Sequence, residues 1–263
     1  MARFLQLTDL HVVTRGALAS GVLDTRALLR AAIDRLVARL DALGPLDAVL
    51  LTGDISDDGS PDSYAFARAE LDRLQLPLLA IPGNHDAREP MRAAFADTPG
   101  MPGSGLVDWT VDLAGTRVIG LDTLVEGQGG GRLRAESLAL LADALDWPGP
   151  VVVALHHPPL HTGIKFMDAI GLENTPALET VLGSAQADVT VIAGHVHGVY
   201  HGRIGQHAVA TAPAICSAFA LDRRDSATVG FLTGPTGCAV IDTAPGGVWS
   251  ALPLDPAEGP YPF

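Results

Sequence analysis

The sequence predicts an α/β fold built as a four-layer α/β/β/α sandwich, and three observations lead there. Over the first 86 residues, short apolar runs alternate with amphipathic stretches in the order strand, helix, strand, helix, strand. That is the pattern of a parallel sheet with crossover helices. The alternation resumes after residue 110, and the chain beyond 198 is β-rich, which supplies a second sheet. Five of the apolar runs stop at clusters of Asp, Asn and His, where an open α/β sheet binds its ligands.

Residues 2–8 form the opening strand, with Asp9 and His11 at its end, and 12–24 a loop of small residues. Leu28, Leu29, Ile33, Leu36, Val37 and Leu40 keep helical spacing over 25–43. Asp24 is the expected N-cap, and Gly44-Pro45 ends that helix. Residues 48–52 are a buried strand closed by Gly53-Asp54. Ser60-Pro61 pairs an N-cap with proline at the first helical position, and the helix runs to about Leu74. The third strand, 77–82, leads into Gly83-Asn84-His85-Asp86. Residues 87–108, with several Pro and Gly, are expected to be irregular and to cover part of the site. Strands at 110–112 and 117–121 make a hairpin about Ala114-Gly115. The glycine-rich loop 127–131 lacks a P-loop pattern and reads as a mobile loop near the site.

A helix at about 134–145 and a strand at 151–155 precede His156-His157-Pro158-Pro159. After an irregular stretch, Thr175-Pro176 opens a short helix to about Leu182, and the strand 189–193 ends at Gly194-His195-Val196-His197. The tail contributes strands at 199–204, 207–211, 231–232, 238–242 and 248–252. One domain over 1–263 is expected, with 1–198 carrying the core and every motif. Residues 199–263 are expected to complete the second sheet and to offer an edge strand through which a homodimer could pair.

The net charge is −13. A nucleic-acid binder needs a basic face, yet Lys and Arg do not cluster and Lys165 is the only lysine. An acidic surface also argues against anionic membranes. An anionic substrate would need local positive charge, which metal ions could supply. Cys216 and Cys238 form no C-x-x-C pattern and read as buried, unreactive thiols. Met1 runs straight into the first strand, without the regions of a signal peptide, and no apolar run is long enough to span a bilayer. The cytoplasm is the expected location.

Each polar cluster offers ligand chemistry. In Asp9-Leu10-His11 an extended i, i+2 pair points to one side, so Asp and His can share a cation while Leu10 packs inward. Asp54 has two carboxylate oxygens and can bridge two cations, and Gly53 allows close backbone approach. Asp57 reads as a supporting or turn residue. Asn84 offers an amide oxygen suited to a hard or borderline cation, and His85 a titratable ring that Asp86 could orient. His156 is assigned as the ligand of its pair with His157 behind it, a choice the residues themselves leave open. His195 and His197 form the strongest single cluster. Substrate choice should lie in 158–175, 212–226 and the glycine-rich loop, where Phe166, Met167, Phe219, Arg223 or Arg224 could hold a base or a second phosphate. Lid packing and exposed charge are the plainer reading. His161 is an outlying candidate for substrate contact, and His201 and His207 read as hairpin residues.

Taken in order, D-x-H, G-D-x-x-D, G-N-H-D, H-H-P-P and G-H-x-H resemble the calcineurin-like metallophosphoesterases, over residues 9–197. The H-H-P-P form and the loop after it look most like their class III cyclic-nucleotide phosphodiesterase and glycerophosphodiesterase branch. The resemblance implies the sandwich reached above and two divalent or trivalent transition metal ions (Fe, Mn, Zn or Co). It implies one metal on Asp9, His11, Asp54 and His197 and the other on Asp54, Asn84, His156 and His195, with Asp54 bridging. His85 would be unligated beside the phosphoryl group, and Asp54, Asn84 and His85 would be the catalytic residues. The implied reaction is hydrolysis of a small phosphodiester, cyclic nucleotide or glycerophosphodiester, by attack of a metal-bound hydroxide. Nucleic acid polymers and membranes are not expected partners. A phosphomonoesterase on the same centre is the alternative, and a non-catalytic interaction module on this fold is the alternative of another class. Purple acid phosphatases carry Tyr where this chain has Asp57, and protein Ser/Thr phosphatases follow the second motif with Arg-Gly where it has Asp58-Gly59, which lowers both readings.

Overall fold

The computed structural model describes residues 1–258 and Tyr261. The chain runs β1 (Arg3–Leu7), α1 (Thr25–Val37), α2 (Leu40–Leu43), β2 (Ala48–Thr52), α3 (Pro61–Leu71), β3 (Leu78–Ile81), α4 (Arg88–Ala94), β4 (Trp109–Leu113) and β5 (Thr116–Leu121). It continues with α5 (Ala135–Ala144), β6 (Val151–Leu155), α6 (Lys165–Asp168), α7 (Thr175–Leu182), β7 (Val189–Ala193), β8 (His201–Ile204), β9 (His207–Thr211), β10 (Gly237–Asp242) and β11 (Trp249–Pro253). One sheet has the order β11-β10-β1-β2-β3 and the other β4-β5-β6-β7-β9-β8. β1, β2 and β3 are parallel, as are β5, β6, β7 and β9.

The central strands read as unbroken apolar runs because both of their faces are buried. In β2, Val49 and Leu51 face the helices while Leu50 faces the other sheet. In β6, Val151 and Val153 face helices and Val152 faces between the sheets. Three cores result. Leu29, Ile33 and Leu36 of α1 and Tyr64 and Leu71 of α3 cover the first sheet. Leu141 of α5 and Leu178 and Leu182 of α7 cover the second. Phe4, Leu50, Leu79, Trp109, Val152 and Ile192 fill the space between. Three cores make four layers, which is the predicted sandwich. Trp109 Nε1 donates to Ala80 O at 2.8 Å and Gln6 Nε2 to Ala193 O at 3.0 Å, so the two sheets are also stitched by hydrogen bonds, while Gln6 Nε2 meets Thr52 Oγ1 of its own sheet at 3.1 Å.

The predicted caps form. Asp24 Oδ1 accepts from Ala27 N–H at 3.0 Å and Ser60 Oγ from Ser63 N–H at 3.2 Å. The helix expected over 25–43 divides, because at Arg39 the backbone N–H turns to Leu36 O, three residues back, at 2.9 Å. Residues 88–94, expected to be irregular, form α4, with Pro90 in the first turn where its missing N–H costs little. Residues 231–232 make an isolated bridge from Leu232 to Ala218 and no strand. The largest correction concerns the tail. Only β8 and β9 extend the second sheet, whereas β10 and β11 complete the first, because β10 pairs antiparallel with β1 from Arg3↔Asp242 to Gln6↔Ala239. No helix among the described residues is long and apolar enough to cross a membrane.

Candidate metal centre

The polar clusters follow β1, β2, β3, β6 and β7, and the parallel direction within each sheet brings them to one end of the molecule. Asp9, His11, Asp54, His195 and His197 all hold left-handed backbone, with φ of 53°, 45°, 48°, 69° and 44°. Residues other than glycine rarely adopt this conformation, and they gather where a site requires it. Here it turns the side chains in upon one another.

Two groups of donors meet at Asp54. His11 Nε2 lies 3.2 Å from His197 Nε2 and 3.4 Å from Asp54 Oδ2, and His197 Nε2 lies 3.4 Å from Asp9 Oδ1. On the other side, His156 Nε2 lies 3.4 Å from the same Asp54 Oδ2 and 3.2 Å from Asn84 Oδ1. The His195 ring stands 5.1 Å from that of His156. A four-coordinate ion with ligands at roughly 2.0–2.1 Å separates those ligands by about 3.3 Å. The donor spacings measured around Asp54 are therefore of the size that metal ligation requires, and Asp54 Oδ2 stands between the two groups.

Each of the four imidazoles has one nitrogen pinned from behind. His11 Nδ1 donates to Asp57 Oδ1 at 2.8 Å and His156 Nδ1 to Thr52 O at 2.8 Å. His195 Nε2 donates to Ile170 O at 3.0 Å, and His197 Nδ1 meets Ser217 Oγ at 2.9 Å. Such partners select the tautomer and leave the opposite nitrogen free to ligate. His157 differs. Its Nδ1 accepts from Thr123 Oγ1 at 2.8 Å and its Nε2 donates to Gly129 O at 3.0 Å, so both nitrogens are occupied. Burial, then the charge of His156, pushes its pKa down to about 3. The glycine-rich loop is packed at this point: Gly131 donates to Gly171 O and accepts from Glu173 N, and a Cβ on Gly131 would overlap the His157 ring. Its glycines serve close approach to that histidine.

Burial alone would raise the carboxyl pKa of Asp54, but His156, His11 and His85 outweigh it and hold the group well below its usual range. Asp9 is likewise lowered, burial being outweighed chiefly by His197. His85 has a 42 % exposed side chain, and its Nδ1 lies 3.1 Å from Asp57 Oδ1, the oxygen that also holds His11. The Asp57 contact, against the desolvation of the ring, pushes its pKa up to about 9. Asp86 collects four donors, from Ile55 N at 3.2 Å, Ser56 N at 2.9 Å, Gly83 N at 2.8 Å and Tyr64 OH at 2.9 Å. It thereby locks the second and third motif loops together.

Several contributors carry no signal in the sequence. Ser217 follows β9, a sixth strand end, and sits beside Cys216, whose buried thiol is pushed up to about 11 by desolvation. The Ile170 contribution is a carbonyl, which residue type cannot reveal. His161 is exposed, His207 Nε2 donates to Leu182 O at 2.9 Å, and His201 packs on Trp249, all away from the centre. Arg223 reaches Thr162 O at 3.4 Å and Arg224 pairs with Asp222, so neither lines the cavity of about 220 Å³ beside the centre.

The calcineurin-like phosphoesterase family model matches residues 2–199. The chain is 35% identical over 218 residues to the 3′,5′-cyclic adenosine monophosphate phosphodiesterase CpdA of Pseudomonas aeruginosa, covering 82% of this chain and 77% of that one. It is 29% identical over 265 residues to the probable glycerophosphodiester phosphodiesterase GpdQ of Arcobacter nitrofigilis, covering 98% and 96%. Among solved structures, a dimetal phosphatase from Danio rerio superposes with a TM-score of 0.64 at 17% identity, over 91% of this chain and 92% of that one, a likeness of fold. With the motifs at the strand ends and the family match across three-quarters of its length, the chain belongs to the calcineurin-like phosphoesterase family.

Proposed function

We propose that this protein is a dinuclear-metal-dependent phosphodiesterase acting on small phosphodiesters of the cyclic-nucleotide or glycerophosphodiester type. The observation that carries the reading is the single oxygen, Asp54 Oδ2, standing 3.4 Å from both His11 and His156. Asp9, His11, Asp54 and His197 would hold one ion, and Asp54, Asn84, His156 and His195 the other. When bound, the ions supply charge neutralisation for the phosphoryl oxygens and acidity for water. The relatives named for diesters support diester over monoester chemistry. Oxygen and imidazole donors accept Fe, Mn, Zn or Co, and availability decides among them. One domain over the whole chain, a cytoplasmic location and a homodimer belong to the same reading.

The chain's own residues divide the work. Asp9 and Asp54 stay ionised among imidazoles, and Asn84 adds a neutral oxygen. Asp57 pins His85 Nδ1, which leaves Nε2 of a ring that lines the cavity to give its proton to the departing alkoxide oxygen. Asp86 and Tyr64 keep the loop that carries Asn84 and His85 in place.

The test is His85→Ala in metal-reconstituted protein. Metal content should remain at two per chain while turnover of a diester with an alkoxide leaving group, 3′,5′-cyclic AMP or glycerophosphocholine, falls about 10²–10⁴-fold, with a much smaller fall for bis(4-nitrophenyl) phosphate, whose leaving group needs little protonation. Loss of metal together with rate would make His85 a ligand. Faster hydrolysis of 4-nitrophenyl phosphate than of the diester by the unmodified protein would favour the monoesterase.

A further inference from the structure

The cavity beside the centre has two unlike walls. One is the donor cluster, with His11, Asp54, Asn84, His85, His195 and His197. The other is carbon: Phe166, Met167, Ile170, Phe219, Phe231 and Leu23. The three phenylalanines come from three separate segments. Phe219 lies on the His197 ring, centroids 4.6 Å apart and planes 31° apart, and takes the edge of Phe166 at 5.2 Å and 87°. Phe166 and Phe219 rest on a small core of Ile164, Met167 and Val196, while Phe231 rests on Val13, Ala19 and Leu23 of the opposite loop. Each ring is thus fixed from behind by packing, so the wall stands before any substrate arrives.

We propose that Phe166, Phe219 and Phe231 form a specificity wall that selects phosphodiesters carrying a planar aromatic ring on one ester arm. The proposal rests on the phosphodiesterase reading above and adds its selectivity. A planar ring can place its face or edge against such a wall, and stacking of this kind is tolerant of ring identity. A polyol arm would lay hydroxyls against carbon. Among the described residues only Ser20 and Ser217 offer side-chain hydroxyls in this cavity, and Ser217 is committed to His197. Hydroxyls set against the carbon wall, away from Asp57, Asn84 and His85 on the other side, are left without partners, which disfavours a polyol arm in that position. The neighbouring arginines, which could have recognised a second phosphate, are turned toward Thr162 and Asp222. At about 220 Å³ the cavity lies below the roughly 300–1,000 Å³ of sites for larger ligands and has room for one ring against the wall. Asn84 and His85 divide this cavity from an open groove of about 760 Å³ lined by Arg88, Glu89 and Glu126, which is where a polar remainder of the substrate finds partners.

The test uses binding as well as turnover. Phenylphosphonate and ethylphosphonate are titrated calorimetrically into the metal-loaded protein and into Phe231→Ala and Phe231→Leu, since Phe231 rests on Val13, Ala19 and Leu23 and is not one of the donor residues. The unmodified protein should bind phenylphosphonate about tenfold more tightly, and both variants should lose that preference while holding their metal. In turnover, kcat/KM for bis(4-nitrophenyl) phosphate should fall about tenfold in the variants, mainly through KM, with a much smaller fall for glycerophosphocholine. Adenosine 5′-phosphate in place of phenylphosphonate distinguishes a nucleobase from a simple aryl ring. Equal affinity for the two phosphonates, or full preference retained in Phe231→Leu, would overturn the proposal. A protein that prefers phenylphosphonate yet hydrolyses no diester would overturn the functional reading and leave the wall standing.

Discussion

The backbone N–H of His85 donates to Asp54 Oδ1 at 2.8 Å, and that bond decides which carboxylate oxygen faces the centre. With Oδ1 taken, Oδ2 alone points to both His11 and His156. In Asp54→Asn the amide oxygen must accept from His85, because an amide NH₂ cannot. The NH₂ is then turned toward the donor cluster. Bound metal is expected to fall below one per chain and turnover by at least about 100-fold, although the substitution is isosteric. Metal analysis on folded variant checks this, and two retained ions would contradict it.

Gly83 stands against the same carboxylate. A Cβ there would overlap Asp54 Oδ1 and come within 2.5 Å of the Asp54 backbone N. Neither neighbour is free to move, since each belongs to the Asp54 turn. Gly83→Ala should destabilise the metal-free protein by about 1–3 kcal/mol, read from urea unfolding in chelator, and should weaken metal binding as well.

Ser217 tests the outer partners. Ser217→Ala leaves His197 Nδ1 without its hydroxyl. Metal affinity should drop about 10–100-fold with little change in the stability of the metal-free protein. Competition with a chromophoric chelator measures the first and thermal unfolding the second.

Metal and fold are linked. Metal at 100 times its dissociation constant should raise unfolding free energy by about 2.7 kcal/mol per ion, and a chelator should remove the gain. Asp54→Asn should show no such gain. By contrast, Leu50→Ala, in the core between the sheets, should cost about 2–5 kcal/mol with metal stoichiometry intact.

Much of this was legible in the residues. β2, β3, β6 and β7 announce themselves because strands buried on both faces must be apolar throughout, and Gly or Pro bounds them. Their polar ends therefore stood out as ligand positions. α4 was hidden because a helix of two turns with only Met91 and Arg92 buried shows no periodicity, and Pro90 argues against it. The left-handed backbone of Asp9, His11, Asp54, His195 and His197 was hidden because nothing local requires it of those residue types; tertiary packing imposes it. The sheet that receives β10 was hidden too, since an antiparallel strand finds its partner through distant contacts.

The pairing of β10 with β1 has a consequence for how the protein is made. Asp242 lies far along the chain from Arg3, so the strand that presents Asp9 and His11 is synthesised well before its second neighbour. At the usual ~5–20 residues per second, that interval is on the order of ten seconds or more. During it β1 has β2 on one side and an open edge on the other. A nascent or prematurely ended chain stopping near residue 199, where the family match stops, would carry every metal-binding motif and still lack the strand that seals the sheet beneath them. Such a fragment would leave that edge open to pairing with other chains, and the arrival of β10 closes it.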